Sequence, residues 1–393
     1  MDARAPGDEG LGPAPMKGNV LLVANWESDV GYAWWLMESF WVAIAERYSS
    51  VGSRILLIYP VLNELPAAIE AAPLDVEERR FESSGFLETV RFLLLLRRRR
   101  IRNVYLSDSP HLRPLYLLMR LAGVRRIVIH DHTPGDREPT RGWRRTIKRL
   151  IREVPWIHAD FFVAVTDFVR SRLIENANLP PDRCGVARNG IVPISANESD
   201  IDVRRTFGFP DDAVVVVTTG RANRYKGIDF IISLADRIVN QGGMTQVYFL
   251  YCGDGPHIGA FRRMSEALGL GPHFTFAGRR GDVRALLGDC DIAIQASHGE
   301  VGYSLSILEY MSAGLATLVP DRPSVSLATQ HQVTGLVYPP GDLDAAAALI
   351  ERLVDDPELR RALGERATEV VERRYRLDQT RHQLLALLDR EFV

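Results

Sequence analysis

The sequence predicts an α/β protein of two domains, each a Rossmann-like, doubly wound parallel sheet, with a central cleft between them. The chain has 393 residues, which is more than a single hydrophobic core usually accommodates. Short runs of Val, Ile and Leu alternate with helical stretches through both halves of the chain. These runs lack polar alternation, and this pattern indicates strands that helices cover on both faces.

Ten such runs predict the strands of the two sheets. They lie at residues 19–23, 54–59, 103–106, 126–129 and 161–165 in the first half, and at 213–217, 246–251, 274–276, 292–294 and 316–319 in the second. Between the halves, residues 189–202 contain Gly, Pro and small polar residues without periodicity, which predicts a domain boundary. We therefore expect a first domain over 18–195, a second domain over 196–375 and a final helix over 376–393. Residues 1–17 are rich in Pro, Gly and acidic side chains, and they are predicted to be a disordered tail rather than a signal peptide.

The bulk composition excludes several classes of protein. A net charge of −2 gives no global attraction to nucleic acid, so any anion-binding surface must be local. The three cysteines, Cys184, Cys252 and Cys290, are widely spaced, which favours a reducing compartment over a disulfide framework. No run reaches the roughly 18 apolar residues that span a bilayer. We expect a cytoplasmic protein, with contact at the inner face of the membrane left open.

One segment keeps that membrane question open. Residues 92–96 are apolar and are followed at once by four arginines at 97–100, a composition that suits a helix on a membrane surface. The alternative is a buried helix whose terminal arginines are solvated and complement the helix dipole. The basic run at 144–152 has the helical spacing of a solvated or membrane-facing stripe, and neither run favours a nucleic-acid partner.

The second half carries a glycine-bounded loop with fixed cations, at 220–227, directly after a predicted strand. Gly220 permits a sharp turn, while Arg221 and Lys226 project from the loop and can bind phosphate oxygens. A surface loop with basic residues before a helix is common, so the loop alone does not establish a phosphate site.

A second segment, at 300–314, combines a helix start with a glutamate inside the helix. Gly302 frees backbone N–H groups, Ser304 can cap a helix and Gly314 can end it. The N-terminus of such a helix attracts anions, and Glu309 lies about one and a half turns along, where it could accept two ribose hydroxyls. A mid-helix glutamate is more often simply solvated.

The third element is the tight turn that contains Gly253 and Asp254, at 252–256 after another predicted strand. Its residue types allow the backbone to approach a base or a ribose closely. An ordinary strand–helix turn has the same local composition.

The order of these segments resembles family 4 of the retaining glycosyltransferases, which have the GT-B fold. The resemblance covers about residues 185–375: G-R-x4-K-G from Gly220, G-D-G-P from Gly253, E-V-G-Y-S-x4-E-x4-G from Glu300, and the stretch 334–342. It implies that Arg221 and Lys226 hold the diphosphate of the sugar donor and that Glu309 binds its ribose. It also implies that Gly302, Tyr303 and Ser304 lie at the donor site, and that the final helix crosses back onto the first domain.

The sequence departs from the family pattern at the first glutamate of this motif. The family spaces its two glutamates by seven residues, whereas eight separate Glu300 from Glu309, and Val301 occupies the usual first position. Either Glu300 takes over the contact with the transferred sugar or sugar selection differs. Residues 321–325 also replace the paired glycines that are usual after the next strand.

The first half offers candidates for the acceptor side of the cleft. The loop at 25–35 holds the acceptor-side candidates Trp26, Glu27 and Asp29. It also holds Gly31, a donor-binding candidate, since the family often has a glycine pair near the diphosphate at this place. Aromatic faces suit sugar C–H surfaces, but three tryptophans of this segment (Trp34, Trp35 and Trp41) equally fit the buried face of the first helix.

The segment His130-Asp-His132 follows another predicted strand and resembles the His-Asp motif of the family, whose histidine lies near the donor sugar. This makes His130 a candidate catalytic residue, with His132 as the second candidate and as a residue of the acceptor side. A zinc site lacks a clear third ligand. Asp289 and Asp291 imitate a metal-binding D-x-D pair but precede a buried strand, and we interpret them as structural.

The resemblance, together with these features, implies a metal-independent enzyme that uses no cofactor and transfers a hexose with retention from a UDP- or GDP-linked donor. The acceptor would be a small molecule, a glycan or a lipid-linked hydroxyl, and the chain would be a monomer or a homodimer. A sugar-nucleotide epimerase of the same fold and a non-catalytic sugar-nucleotide-binding protein are the alternatives.

Overall fold

Two parallel α/β sheets form the two halves of the chain, as the sequence predicts. The computed structural model describes residues 18–31, 34–81, 85–136, 156–195 and 201–392. The predicted tail at 1–17 and the basic run at 144–152 lie outside the described residues. Within them, no helix is both long and apolar enough to cross a bilayer.

The first domain has a seven-stranded sheet of order β3-β2-β1-β4-β5-β6-β7, in which every neighbouring pair is parallel. Its strands are β1 (Asn19–Val23), β2 (Ile55–Tyr59), β3 (Asp75–Glu78), β4 (Ile101–Ser107), β5 (Arg126–Asp131), β6 (Phe161–Ala164) and β7 (Cys184–Val186). Its helices are α1 (Trp35–Ser49), α2 (Ala67–Glu70), α3 (Phe86–Arg98), α4 (Pro114–Leu121) and α5 (Asp167–Glu175).

The second domain has a six-stranded sheet of order β10-β9-β8-β11-β12-β13, again parallel throughout. Its strands are β8 (Val214–Thr219), β9 (Val247–Cys252), β10 (Phe274–Gly278), β11 (Ile292–Ile294), β12 (Ala316–Pro320) and β13 (Leu336–Tyr338). Its helices are α6 (Val203–Phe207), α7 (Ile228–Asp236, extended by a π-helical turn over Arg237–Gln241), α8 (Ile258–Ala267), α9 (Val283–Leu287), α10 (Leu305–Ser312), α11 (Leu343–Asp355) and α12 (Pro357–Arg374).

Alternate residues of each strand pack on opposite faces of the sheet. Val20 and Leu22 of β1 face the layer that contains α1, whereas Leu21 and Val23 face α3, α4 and α5. Both faces are therefore buried, which is the physical reason that the strand runs are uniformly apolar.

Three strands escaped the prediction, and all three lie at an edge of a sheet. The sequence of β3 is Asp-Val-Glu-Glu, which is polar because one side of this edge strand meets solvent. The strands β7 and β13 have only three residues each, too few for a recognisable apolar run.

The last helix, α13 (Leu377–Glu391), packs on the first domain. Leu384 and Leu388 are buried in the core that contains α1, and Asp389 lies 2.6 Å from Arg47. The chain crosses between the domains twice, side by side: the N–H of Ile191 donates to the Tyr375 carbonyl, and the N–H of Leu377 donates to the Ile191 carbonyl, both at 2.8 Å.

Each sheet reverses its strand order at one point, between β1 and β4 in the first domain and between β8 and β11 in the second. Loops on the two sides of such a point diverge and leave a crevice at the carboxyl ends of the strands, where ligands of α/β sheets bind. These two points define the candidate site.

Candidate active site

The loop after β8 and the loop after β11 are joined at the switch point of the second sheet. Gly227 has φ = +69°, and a Cβ at this position would overlap the carbonyl of Ala296 beyond β11. The N–H of His298 donates to the Tyr225 carbonyl at 2.9 Å. The cationic loop that the sequence singles out is therefore fixed by backbone contacts rather than free in solvent.

The turn after β9 packs against the same loop. The N–H of Ala222 donates to the Asp254 carbonyl at 2.8 Å, and the N–H of Gly220 donates to the Cys252 carbonyl at 3.1 Å. A Cβ on Gly253 would overlap the Gly220 carbonyl, so only glycine allows this approach. The close packing explains the glycine at 253, and it leaves Asp254 and Arg221 exposed on the surface of the loops.

An ion pair between Lys226 and Glu300 lies at the centre of the site. The Lys226 ammonium donates to Glu300 Oε1 at 2.6 Å, and the Ser297 hydroxyl donates to the same oxygen at 2.7 Å. Glu300 is only 7% exposed, so its carboxylate is held in one place. The sequence contains three lysines, and Lys226 is the single one among the described residues. The cation of this pair is thus a compact ammonium group, whereas the other cationic side chains of the described residues, histidine apart, are arginines.

The backbone around Glu300 accounts for the irregular spacing of the two glutamates. The N–H groups of Glu300 and Gly302 both donate to the Ser324 carbonyl, at 3.0 and 2.8 Å, and Gly302 adopts φ = +116°. Between them, the Val301 carbonyl accepts a hydrogen bond from the Thr166 hydroxyl, and its side chain packs on the first-domain core. Val301 therefore makes the interdomain contact, while Glu300 reaches Lys226.

The helix α10 begins and ends as predicted. Ser304 is its N-cap, and its hydroxyl accepts a hydrogen bond from the Ile307 N–H at 3.3 Å. Gly314 follows the last turn with φ = +75°. The Tyr310 hydroxyl accepts from the Thr219 N–H at 2.6 Å, which fixes the helix against the end of β8.

Glu309 projects from α10 into an enclosed environment. Burial raises the pKa of its carboxyl to about 7, although the charge of Arg284 opposes the shift. Arg284 in turn donates to the Val192 and Pro193 carbonyls, at 3.0 and 3.1 Å. The Glu309 carboxyl thus lies beside the segment that links the two domains.

The first-domain loop after β1 meets the second domain at Gly31. This glycine has φ = +69°, and a Cβ there would overlap the guanidinium of Arg279. Trp26, Glu27 and Asp29 are exposed on the same loop. The Asp29 carboxylate accepts from the Asn63 side chain at 2.8 Å, which ties this loop to the one after β2.

The structure places His130 beneath the surface of the cleft, not on it. His130 is fully buried, and its Nδ1 lies 2.5 Å from the Tyr105 hydroxyl. Its ring centroid is 4.2 Å from that of His132, which is partly exposed. Burial, and then the neighbouring His132, lower the pKa of His130, while burial lowers that of His132 to about 4. Both rings are neutral at pH 7, and in this conformation His130 supports the site from below.

Other aromatic candidates are also part of the packing. Tyr303 is 2% exposed, and its hydroxyl donates to the Asn189 carbonyl at 2.9 Å, so its side chain does not line the cleft. Trp41 is fully buried. Trp34 and Trp35 are half-buried and pack on the core of the first domain. This outcome favours the packing interpretation of the tryptophans.

Asp108 is a candidate residue that the sequence analysis missed. It follows β4 at the switch point of the first sheet and adopts φ = +48°, a backbone conformation that is uncommon outside glycine and concentrates at functional sites. Its carboxylate accepts from the His132 N–H at 2.6 Å. Although the residue is exposed, its carboxyl is enclosed by protein and faces the charge of Asp131, and these effects raise its pKa to about 7. The sequence feature that could have identified Asp108 is an acidic residue directly after a buried strand.

A second missed residue, Arg172, holds the loop that follows β5. It forms a buried ion pair with Asp131 at 3.3 Å and donates to the Gly135 carbonyl at 2.7 Å. The N–H of Gly135 donates to the Glu300 carbonyl at 2.8 Å. The loop that carries His132 is thereby connected directly to the Lys226–Glu300 pair.

The aspartates of the D-x-D pair bind backbone and arginine, which are structural contacts. Asp289 accepts from the Val203 N–H at 2.7 Å, and Asp291 accepts from Arg204 at 2.7 Å. Among the described residues, no group of three His, Cys, Asp or Glu side chains has an arrangement that could hold a metal ion.

Comparisons with known proteins match both halves of the chain. The model of glycosyl transferases group 1 matches residues 200–370, and the model of glycosyltransferase family 4 matches residues 38–193. The α-D-kanosaminyltransferase of Streptomyces kanamyceticus is 26% identical over 69% of this chain and 72% of its own length. The lipopolysaccharide core biosynthesis glycosyltransferase LpsD of Rhizobium meliloti is 30% identical, over 46% of this chain and 51% of its own length.

Solved structures share the fold over nearly the whole chain. A glycosyltransferase from Rickettsia africae superposes with a TM-score of 0.76 at 15% identity, over 95% of this chain and 98% of that one. Anabaena Alr3699/HepE, solved in complex with UDP-glucose, has a TM-score of 0.72 at 17% identity, over 95% and 99% of the two chains.

The raised pKa of Glu309 predicts a pH-dependent effect on stability. The pKa is about 7 in the folded protein against an ordinary value of 4.5, so the stability that the protonated carboxyl contributes is lost as the pH rises through this interval. Glu309→Gln cannot titrate. As the pH rises from about 4.5 to about 8, we expect the free energy of unfolding of the wild type to fall by about 2–3 kcal/mol relative to that of the variant.

Chemical denaturation at the two pH values measures this difference, and Glu266→Gln, an exposed glutamate on α8, is the matched control. A variant and wild type whose free energies of unfolding change in parallel with pH would contradict the burial of the Glu309 carboxyl.

Proposed function

This chain is a member of glycosyltransferase family 4 with the GT-B fold, and on that basis we propose that it transfers a hexose from a nucleoside diphosphate sugar to an acceptor hydroxyl with retention of configuration. The observation that carries the proposal is the Lys226–Glu300 pair at the switch point of the second sheet, whose two loops also carry Arg221 and lead into α10. This arrangement combines cations, the N-terminus of a helix and a fixed carboxylate on neighbouring loops.

The cations of this crevice would bind the diphosphate of the donor. Bond cleavage between the sugar C1 and the diphosphate oxygen concentrates negative charge on the leaving group, so preorganised cations stabilise the transition state more than the bound donor. Lys226 supplies a point charge, Arg221 a forked donor and the N-terminus of α10 its unpaired N–H groups. These groups neutralise the charge without a metal ion.

The two carboxylates, Glu300 and Glu309, would bind the hexose and the ribose of the donor, respectively. Glu300 already accepts two hydrogen bonds on Oε1, and this fixed position leaves its second oxygen for a hydroxyl of the transferred hexose. Glu309, about one and a half turns along α10 from the cap at Ser304, would accept the ribose hydroxyls in its ionised form. The solved HepE complexes with UDP and UDP-glucose support a UDP-linked donor.

The first-domain loops would bind the acceptor. Asp108, at the switch point of the first sheet, would orient the acceptor hydroxyl, and Trp26, Glu27, Asp29 and His132 would surround the rest of the molecule. The acceptor oxygen bonds to C1 on the face that the diphosphate leaves, and its proton passes to a phosphate oxygen. The protein contributes position and charge rather than a nucleophile.

A thermal-shift panel with UDP-, GDP-, ADP- and dTDP-hexoses tests the donor. We expect the UDP-sugar to raise the unfolding temperature most, because a ligand at 100 times its dissociation constant adds about 2.7 kcal/mol of stability. A larger shift with another base would replace UDP in the proposal, and a panel without any shift would count against a nucleotide-sugar site.

The variant Lys226→Ala tests the transferase mechanism. Loss of one preorganised donor is expected to lower the transfer rate by roughly 100-fold. The assay measures UDP release with and without an acceptor, because an epimerase interconverts donors without any acceptor. Arg205→Ala, an exposed cation on α6, is the control. Undiminished transfer by Lys226→Ala would refute the assigned role.

The variant Asp108→Asn tests the acceptor site. Asparagine tolerates the positive φ at this position, so the fold should be retained. At saturating donor we expect transfer to fall by about tenfold or more, since a charged hydrogen-bond partner is lost, and the rise of the wild-type rate through about pH 7 to disappear. The thermal shift with the UDP-sugar should not change. A parallel loss of donor binding would instead place Asp108 in the donor site.

A further inference from the structure

The outer surface of the first domain carries an unusual concentration of exposed apolar side chains. Twelve large hydrophobic residues are exposed among the residues that the structure describes, and seven of them lie on α3, on α4 and at Trp156. Trp156 is next to α4, because Arg120 of that helix donates to the Trp156 carbonyl at 3.1 Å. We call this surface the apolar face.

The apolar face follows from the helical positions of these residues. On α3, Phe86, Val90 and Leu94 are spaced by four residues and share an outer face, with Leu87 beside them. The same helix buries Phe92 and Leu96 against the sheet. It is therefore apolar on two sides, and only one of them is used by the core.

The degree of exposure is high for residues of this type. Phe86 is 81% exposed, Leu87 68%, Leu121 71% and Trp156 64%. Scattered single apolar residues are normal on a protein surface, but a concentration of them on neighbouring elements marks a site of interaction. The helices α3 and α4 are in contact with each other.

Positive charge borders the apolar face. The helices α3 and α4 contain four arginines and one glutamate, Glu88, which already pairs with Arg91 at 2.5 Å. Arg97 and Arg98 are exposed in the last turn of α3. Arg120 of α4 is also paired, with Asp160 at 3.0 Å. The face thus combines aromatic and aliphatic side chains with the exposed guanidinium groups of Arg97 and Arg98.

We propose that the apolar face rests on the surface of a lipid bilayer that contains anionic lipids. Amphipathic helices with apolar residues on one face and cations at its border lie in the headgroup region, where the side chains enter the acyl boundary and the cations meet phosphates. Aromatic residues such as Trp156 and Phe86 suit this interface. A protein partner would not require the arginine border.

The position of the face gives it a use in the reaction, which rests on the proposed function. The helices α3 and α4 follow the carboxyl ends of β3 and β4, so Phe86 and Leu87 lie at the end of the domain that also forms the acceptor side of the cleft. A bilayer at this surface would bring a lipid-linked acceptor hydroxyl to Asp108.

Sedimentation of the full chain with lipid vesicles tests the proposal. We expect binding to vesicles of phosphatidylglycerol and phosphatidylcholine, weaker binding to phosphatidylcholine alone, and loss of the difference in high salt, where charges are screened. The double variant Phe86→Ser/Leu87→Ser should bind the mixed vesicles about tenfold or more weakly, since two exposed apolar side chains no longer enter the lipid.

The matched control is Val51→Ser, an exposed apolar residue in the turn after α1, which should bind as the wild type does. Phe86→Trp should retain binding. Equal unfolding temperatures of the variants exclude a folding defect. The thermal shift with UDP-sugar, measured without vesicles, tests the proposed function separately.

Absence of vesicle binding, or equal binding by the double variant, would overturn the proposal. A concentration-dependent dimer that the double variant disrupts would overturn it in favour of a protein interface.

Discussion

The organisation of the candidate site depends on the ion pair between Lys226 and Glu300. Two charges in a crevice of reduced polarity attract each other strongly, and each would be costly to bury without the other. The pair fixes the loop after β8 to the loop after β11, and the carbonyl of Glu300 accepts a hydrogen bond from Gly135 of the first domain. One residue thereby connects the crevice of the second sheet with the opposite wall of the cleft.

The two walls meet through several contacts of this kind. The Thr166 hydroxyl donates to the Val301 carbonyl, and Gly31 leaves room for the guanidinium of Arg279. These contacts use backbone groups and glycines, so they depend on the conformation of the loops more than on the identity of side chains. Backbone contacts of this kind hold the loops of the two walls in a fixed alignment.

The sequence predicted the central strands and the helix α10 because their residues obey strong local rules. The cap at Ser304 and the glycine at 314 are examples, and uniformly apolar runs fix the buried strands. The edge strand β3 was missed because its polar residues carry no such pattern.

The candidate site was harder to predict, because the depth of a side chain depends on the fold around it. His130 and Tyr303 have residue types suited to a ligand, yet both side chains are buried, His130 below the cleft and Tyr303 in the packing between the domains. Asp108 became a candidate only when its backbone conformation and its neighbours Asp131 and His132 were known. Val301 and Glu300 could not be distinguished by spacing, since the choice depends on which residue faces the first domain.

The double crossing of the chain between the domains has a mechanical consequence. Ile191 forms an isolated parallel bridge with Arg376 and shares two hydrogen bonds with Tyr375 and Leu377, so the two links between the domains are paired where the chain crosses. Two paired links act as a hinge. We expect the domains to rotate easily about the axis through this pairing, whereas a displacement of one link relative to the other would break its two hydrogen bonds. The enzyme would therefore open along a single path and return to the same alignment after each product leaves.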